Sequence, residues 1–253
     1  MQHAPKFDNH SHILQASIES MVEAAARAEV SRLSITEHIS QFSFVREKGV
    51  ITSVHESGRM FTSFEEYLSE FPKVRGKNPQ VRNGLEVDFI EAHQDFIGKH
   101  VSKFKWDVLL CSVHELADGT DVEGRGLPQD AESSRERWSE YFVTQRKALE
   151  SRAINSNILT HPVRLSVSTP VYPNEIGAWL YDLASIARDR GKALELNGKD
   201  LQLTPELVRK VAQACSKAGC KVSFGSDAHT PEQVSRSYDT ASKLISEFKL
   251  QVV

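Results

Sequence analysis

Two hydrophobic periodicities take turns along this chain, and that exchange limits its fold more than any other feature. Short runs rich in aliphatic and β-branched residues alternate with amphipathic helical patterns over the 253 residues, as successive βα units do. Strands are expected near Phe7-Asp8 and at 33–36, 84–87, 106–113, 157–160, 192–196 and 221–225. A helix is expected from Ile18, where Met21, Val22, Ala25 and Ala28 share one face and Ser17 caps the free amides. Another runs from Glu175, with Ile176, Trp179, Leu180, Leu183 and Ala187 on one side and Gly191 as its stop. Thr204-Pro205 opens a further helix that ends at Gly219, and Thr230-Pro231 opens the last, with Gln233 completing a capping box. The stretch 41–80 is read as loop apart from one helix begun by Ser63 and Glu66. The polar segment 118–130, with three glycines and a proline, reads as a mobile loop that could act as a lid.

Bulk properties narrow the partners. The length suits one domain over residues 1–253, and no repeat or Gly/Ser linker divides it. With 34 acidic and 31 basic residues the net charge is −3, so no overall basic field draws in nucleic acid or an anionic membrane. Cys111, Cys215 and Cys220 form no C-x-x-C pair, which argues against a disulfide framework or thiolate zinc site. Cys111, inside an apolar strand, reads as core. No apolar run approaches the ~18 residues of a membrane span, and no basic start leads into an apolar stretch at the N-terminus. A cytoplasmic protein is the expectation.

The chemistry sits where the strands stop. His10 and His12 close the first strand, and a spacing of two in extended chain turns both imidazoles one way. His38 closes the second, Glu86 lies in Gly84-Leu85-Glu86, and His114 follows Ser112-Val113. His161 follows Thr160, and Asp227 and His229 lie in Gly225-Ser226-Asp227-Ala228-His229. In a barrel of parallel strands all these ends open on one face. Isolated histidines are ordinarily surface or packing residues, which is the reading for His3, His55, His93 and His100. Imidazole with carboxylate suits Zn²⁺, Mn²⁺ and Fe²⁺, and a carboxylate can bridge two ions, a role assigned to Glu86.

The ordered pieces H-x-H, T-E-H, G-L-E, S-V-H, T-H-P and S-D-A-H resemble the PHP (polymerase and histidinol phosphatase) superfamily across nearly the whole chain. Thr36-Glu37-His38 and Gly84-Leu85-Glu86-Val87-Asp88 look most like its histidinol-phosphatase branch. The resemblance implies an α/β fold, a distorted, TIM-like (β/α)₇ barrel, with two or three divalent metals at the C-terminal ends of the strands. It implies His10, His12, Glu86 and Asp227 on one metal, Glu86, His114 and His161 on the next, and His38 and His229 on a third. The family usually carries another His or Asp soon after H-x-H, whereas this chain offers Gln15 and Glu19.

The implied reaction is hydrolysis of a small phosphate ester, L-histidinol phosphate by branch resemblance. Metals would hold the phosphate oxygens, lower the pKa of a bound water to about 7 and neutralise the developing charge. Arg164, three residues past His161, offers the phosphate a bidentate fork. Asn197 and Lys199, beyond another strand end, are further substrate contacts. Glu37 is read as a support for a ligand or a proton donor, and Asp88, on the same face as Glu86, as an orienter of an imidazole. The same barrel also serves phosphodiesterases, nucleases and protein-tyrosine phosphatases. A metal-dependent amidohydrolase and a metal-binding domain without turnover are the remaining alternatives.

Overall fold

The computed structural model describes residues 6–47, 49–50, 58–74, 76–124 and 130–253. His3, His55 and part of the segment read as a lid, 125–129, lie outside the described residues. Seven strands, β1 (Lys6–Asp8), β2 (Val30–His38), β3 (Gln80–Asp88), β4 (Val108–Ser112), β5 (Ile158–Leu159), β6 (Ala193–Asn197) and β7 (Lys221–Gly225), form one sheet in sequence order. Every neighbouring pair is parallel. The two edges then meet, because Asn9 N donates to Phe224 O at 3.0 Å and Asp227 N donates to His10 O at 2.8 Å. The result is a nearly closed α/β barrel of TIM-like form, in which closure gives the edge amides their partners.

Helices wrap the outside: α1 (Ile18–Arg27), α2 (Ser43–Glu47), α3 (Phe64–Leu68), α4 (Gln94–Val101), α5 (Ala131–Glu150), α6 (Ile176–Asp189), α7 (Gly198–Leu203), α8 (Pro205–Ala218) and α9 (Tyr238–Glu247). None among the described residues is long and apolar enough to cross a membrane. Ser17 accepts from Ser20 N at the start of α1, as its sequence position implied. Gly219 takes the left-handed conformation, φ 71°, that ends α8. At α3, Ser63 accepts from Glu66 N at 3.2 Å, while the Glu66 carboxylate reaches back to Thr62 N at 2.7 Å.

The last helix departs from expectation. Thr230-Pro231 opens only a 3₁₀ turn, Pro231–Gln233, and α9 begins at Tyr238. The gap has a job: the buried Asp8 carboxylate accepts from Ser226 N at 2.8 Å and Ser235 N at 3.0 Å. Arg236 adds hydrogen bonds to the carbonyls of Ser226 and Asp227. Ser235 and Ser237 adopt positive φ to make this loop. Helical backbone through 234–237 could not deliver those contacts to the end of β7.

Parallel register fixes levels inside the barrel. His38 pairs with Glu86, Glu86 with Leu110, and Asn197 with Gly225. Two-residue alternation then turns Val108, Leu110, Ile158 and Ala193 inward as a small apolar cluster of their own. His114 and Glu195 continue that same inward face toward the C-terminal mouth. The larger core lies between barrel and helices, where Tyr67 donates to Ile35 O at 2.8 Å and Gly84 O at 3.0 Å and ties α3 to the sheet.

Candidate metal centre

All the imidazoles and carboxylates found at strand ends converge on the mouth of the barrel. Glu86 is their hub and is fully buried. Its Oε2 lies 2.7 Å from His38 Nδ1, 3.3 Å from His10 Nε2 and 3.7 Å from His12 Nε2. Its Oε1 lies 3.0 Å from His161 Nε2 and 3.6 Å from His114 Nε2. The two oxygens thus face different sets of histidines. Asp227 Oδ1 adds an oxygen 3.5 Å from His12 Nε2 and 3.8 Å from His10 Nε2.

A second ring of carboxylates holds the far side of these rings. Glu195 Oε1 is 2.8 Å from His10 Nδ1, Glu37 Oε1 is 3.3 Å from His12 Nδ1, and Asp88 meets His114 Nδ1 in a short contact. With Nδ1–H directed to these carboxylates, His10 and His114 present the lone pair of Nε2 inward, and His12 Nδ1 faces Glu37 in the same sense. The Nε2 atoms of His10 and His12 are 3.1 Å apart, a spacing that either a shared proton or a shared cation makes favourable. The donor set therefore fits divalent metal ions. Among the described residues three groups have ligand atoms within 4.8 Å of one another: His10, His12 and Glu86; His38, Glu86 and His114; and His12, His38 and His229. His12 and His38 stack at 4.1 Å between ring centres, and His12 lies 4.5 Å from His229.

In the protein alone the carboxylates draw protons onto part of the cluster, the positive charge that a cation would otherwise bring. Burial favours a protonated Glu86, yet His10, His38 and His114 hold its carboxyl well below the ordinary range. Burial opposes charge on His10, but Glu195, Glu86 and Asp227 outweigh it and raise that imidazole well above its usual value. His114 rises to about 9 because Asp88 and Glu86 overcome burial. His229 goes the other way, pushed to about 2 by burial and by His12. Burial also pushes the Cys111 thiol up to about 12, in keeping with a core residue.

Backbone strain marks two of the strand ends. His161, at φ 28°, and Asp227, at φ 55°, occupy a region that non-glycine residues rarely visit. His161 is held there by Glu195 Oε2, which accepts its backbone N–H at 2.9 Å, and by Tyr141 of α5, which donates to its carbonyl at 3.0 Å. Gln145, also on α5, donates to Pro162 O at 3.2 Å.

Arg164 is buried among polar partners. It donates to Asp200 Oδ1 at 2.6 Å, Glu123 Oε1 at 2.6 Å, Asn197 Oδ1 at 3.0 Å and Asp227 Oδ2 at 2.7 Å. Asn197 caps α7 through Lys199 N and Asp200 N and donates to Glu195 Oε2 at 3.0 Å. Lys199 Nζ lies 2.7 Å from Glu123 Oε2. His93 and His100 stay outside the cluster, and His100 packs against Phe96 and Phe44. Sequence reasoning passed over Glu195 as a histidine partner, and over Glu123 and Asp200 altogether. For Glu195 the signal was present, since it shares the inward face with Asn197; Glu123 and Asp200 sit in loop or short-helix settings with no period to expose them.

No family model matches the chain. A Clostridium acetobutylicum protein described as a probable phosphatase is 26% identical over 220 residues, which cover 84% of this chain and 78% of that protein. A protein of Deinococcus radiodurans described as a probable histidinol-phosphatase is 26% identical over 198 residues, 72% of this chain and 71% of the relative. Among solved structures, histidinol phosphate phosphatase from Lactococcus lactis, complexed with zinc, L-histidinol and phosphate, superposes with a TM-score of 0.79 at 18% identity. That match covers 98% of this chain and 95% of the other, and it shows a shared fold.

Proposed function

We propose that this chain, a PHP-type relative of the histidinol phosphatases, is a metal-dependent hydrolase of a small phosphomonoester, with L-histidinol phosphate as the leading substrate. The observation that carries the proposal is the position of Glu86, one oxygen toward His10, His12 and His38 and the other toward His114 and His161. A carboxylate so placed suits a bridge between neighbouring cations. His10, His12, Glu86 and Asp227 would hold one ion, and Glu86, His114 and His161 another. The contacts among His12, His38 and His229 support a third. Zinc, manganese and iron all suit this donor set.

When bound, such ions supply Lewis acidity toward the phosphate oxygens and make water nucleophilic near neutral pH. The chain's own residues do the rest. Glu195, Glu37 and Asp88 fix the tautomers of His10, His12 and His114, so Glu37 and Asp88 act here as positioning residues. Arg164 and Lys199 bring positive charge to the phosphate beside Asp227, and Asn197 keeps the Arg164 fork in place. The small acidic excess favours a small ester over a nucleic acid backbone.

The test is direct. The purified protein is loaded separately with Zn²⁺, Mn²⁺ or Fe²⁺, its metals are counted, and L-histidinol phosphate, other phosphomonoesters, phosphodiesters and amides are offered in parallel. Phosphate release from L-histidinol phosphate with the best kcat/KM is the expected result. Preference for a diester or an amide would replace the proposal, and metal uptake without turnover of any substrate would leave a binding domain.

A further inference from the structure

The two cations assigned to the phosphate do not wait free. Glu123 takes a hydrogen bond from each with a separate oxygen, Oε1 from Arg164 Nη1 at 2.6 Å and Oε2 from Lys199 Nζ at 2.7 Å. Two oxygens of a phosphate monoester would span the same pair in the same way. The spot adjoins the metal centre, because the same guanidinium reaches Asp227 Oδ2 through Nη2. Glu123 is also near enough to His114 to help raise that imidazole.

The carboxylate is delivered by a built turn. Asp121 Oδ1 accepts from Glu123 N at 2.8 Å and Asp121 O from Gly124 N at 3.0 Å. Val122 N donates to His114 O at 2.9 Å, and Ser168 Oγ donates to Val122 O, which pins the turn to β4's end and to the loop after His161. The Glu123 side chain is 26% exposed, so it has solvent to move into. Arg164 already meets Asp200 and Asp227, while Glu123 supplies the anion beside Lys199.

Resting on the phosphatase reading above, we propose that Glu123 is a placeholder for the phosphoryl group, occupying its cationic subsite until substrate displaces it and returning as product phosphate leaves. One anion is exchanged for another, so Lys199 keeps an anion beside it while Arg164 retains Asp200 and Asp227 throughout. The contact is thereby autoinhibitory toward phosphate and assists product release.

The experiment compares wild type with Glu123→Gln and Glu123→Ala, all metal-loaded, by calorimetric titration of inorganic phosphate and by phosphomonoester kinetics. Removing the competing carboxylate should tighten phosphate binding by about tenfold and lower KM, since a charge-assisted hydrogen bond no longer has to be broken. Lys199→Met should weaken phosphate binding in wild type and in both Glu123 variants. Unchanged or weaker phosphate binding in both Glu123 variants overturns the proposal, because a carboxylate that merely braces Arg164 would behave so. A raised KM confined to amine-bearing esters, with phosphate binding unaltered, overturns it too and makes Glu123 an anchor for a cationic leaving group. Should wild type hydrolyse no phosphomonoester, the phosphatase reading fails, while the phosphate titration still reports on Glu123.

Discussion

Glu86 shares its two oxygens between opposite groups of histidines, so even the loss of one negative charge should be felt on both sides. We expect Glu86→Gln to bind less metal and to lose at least about 100-fold in kcat, as read by metal analysis beside steady-state kinetics. A variant that keeps full metal and full turnover would remove Glu86 from its central place. Glu195 is a subtler case, since it touches His10 Nδ1 and the His161 backbone instead of facing the other imidazoles. Glu195→Gln should keep the fold and weaken metal binding by roughly 10–100-fold, measured by chelator competition. Arg164 is as much structural as chemical, being buried among Asp200, Asp227 and Glu123. Arg164→Ala leaves Asp200 and Asp227 without this cation and should cost about 3–5 kcal/mol in urea denaturation. A loss under 1 kcal/mol would mean that the ion cluster contributes little to folding.

At the level of elements, β7 must approach β1 and β6 closely for the cluster to form. A Cβ on Gly225 would lie 2.2 Å from both Glu195 Oε1 and His10 Cβ, so the glycine leaves the room in which that hydrogen bond is made. Gly225→Ala should therefore push His10 and Glu195 apart, destabilise by about 1–3 kcal/mol and reduce bound metal, compared by thermal unfolding and metal content. Normal metal content would show that the strands can yield. The helices matter to the site in proportion to what they hold from behind. α5 fixes the His161 loop through Tyr141 and Gln145, and α7 carries the Asn197 cap that steadies Arg164.

For the whole molecule, metal-free and metal-loaded forms should respond to pH in opposite senses. In the metal-free protein His114 titrates at about 9, above the usual 6.5. Its contribution is fully present below 6.5 and is lost as pH rises through about 9, so the Tm of the chelated protein should fall over that window. Metal requires deprotonated imidazoles, so the loaded protein should instead lose metal, and with it Tm, as pH drops below neutrality. Thermal unfolding across pH, with and without a chelator, reads both slopes. Two superimposable profiles would mean that the cluster does not take up metal.

Sequence alone determined the alternation of strands and helices, and with it which residues lie at or just past each strand's end. Period-two alternation is local, so the inward face carrying Glu86, His114 and Glu195 follows from composition and spacing. It also marked the start of α1 and the stop of α8, because capping is decided within a turn of chain. Only the tertiary structure decided which carboxylate serves which imidazole, that Arg164 meets Glu123, Asp200 and Asp227 together, and that α9 waits until Tyr238 while Asp8 claims Ser226 and Ser235. Those contacts join residues far apart in the chain, and they exist because closure of β1 on β7 brings every strand end to one mouth. Nothing in local periodicity encodes that distance.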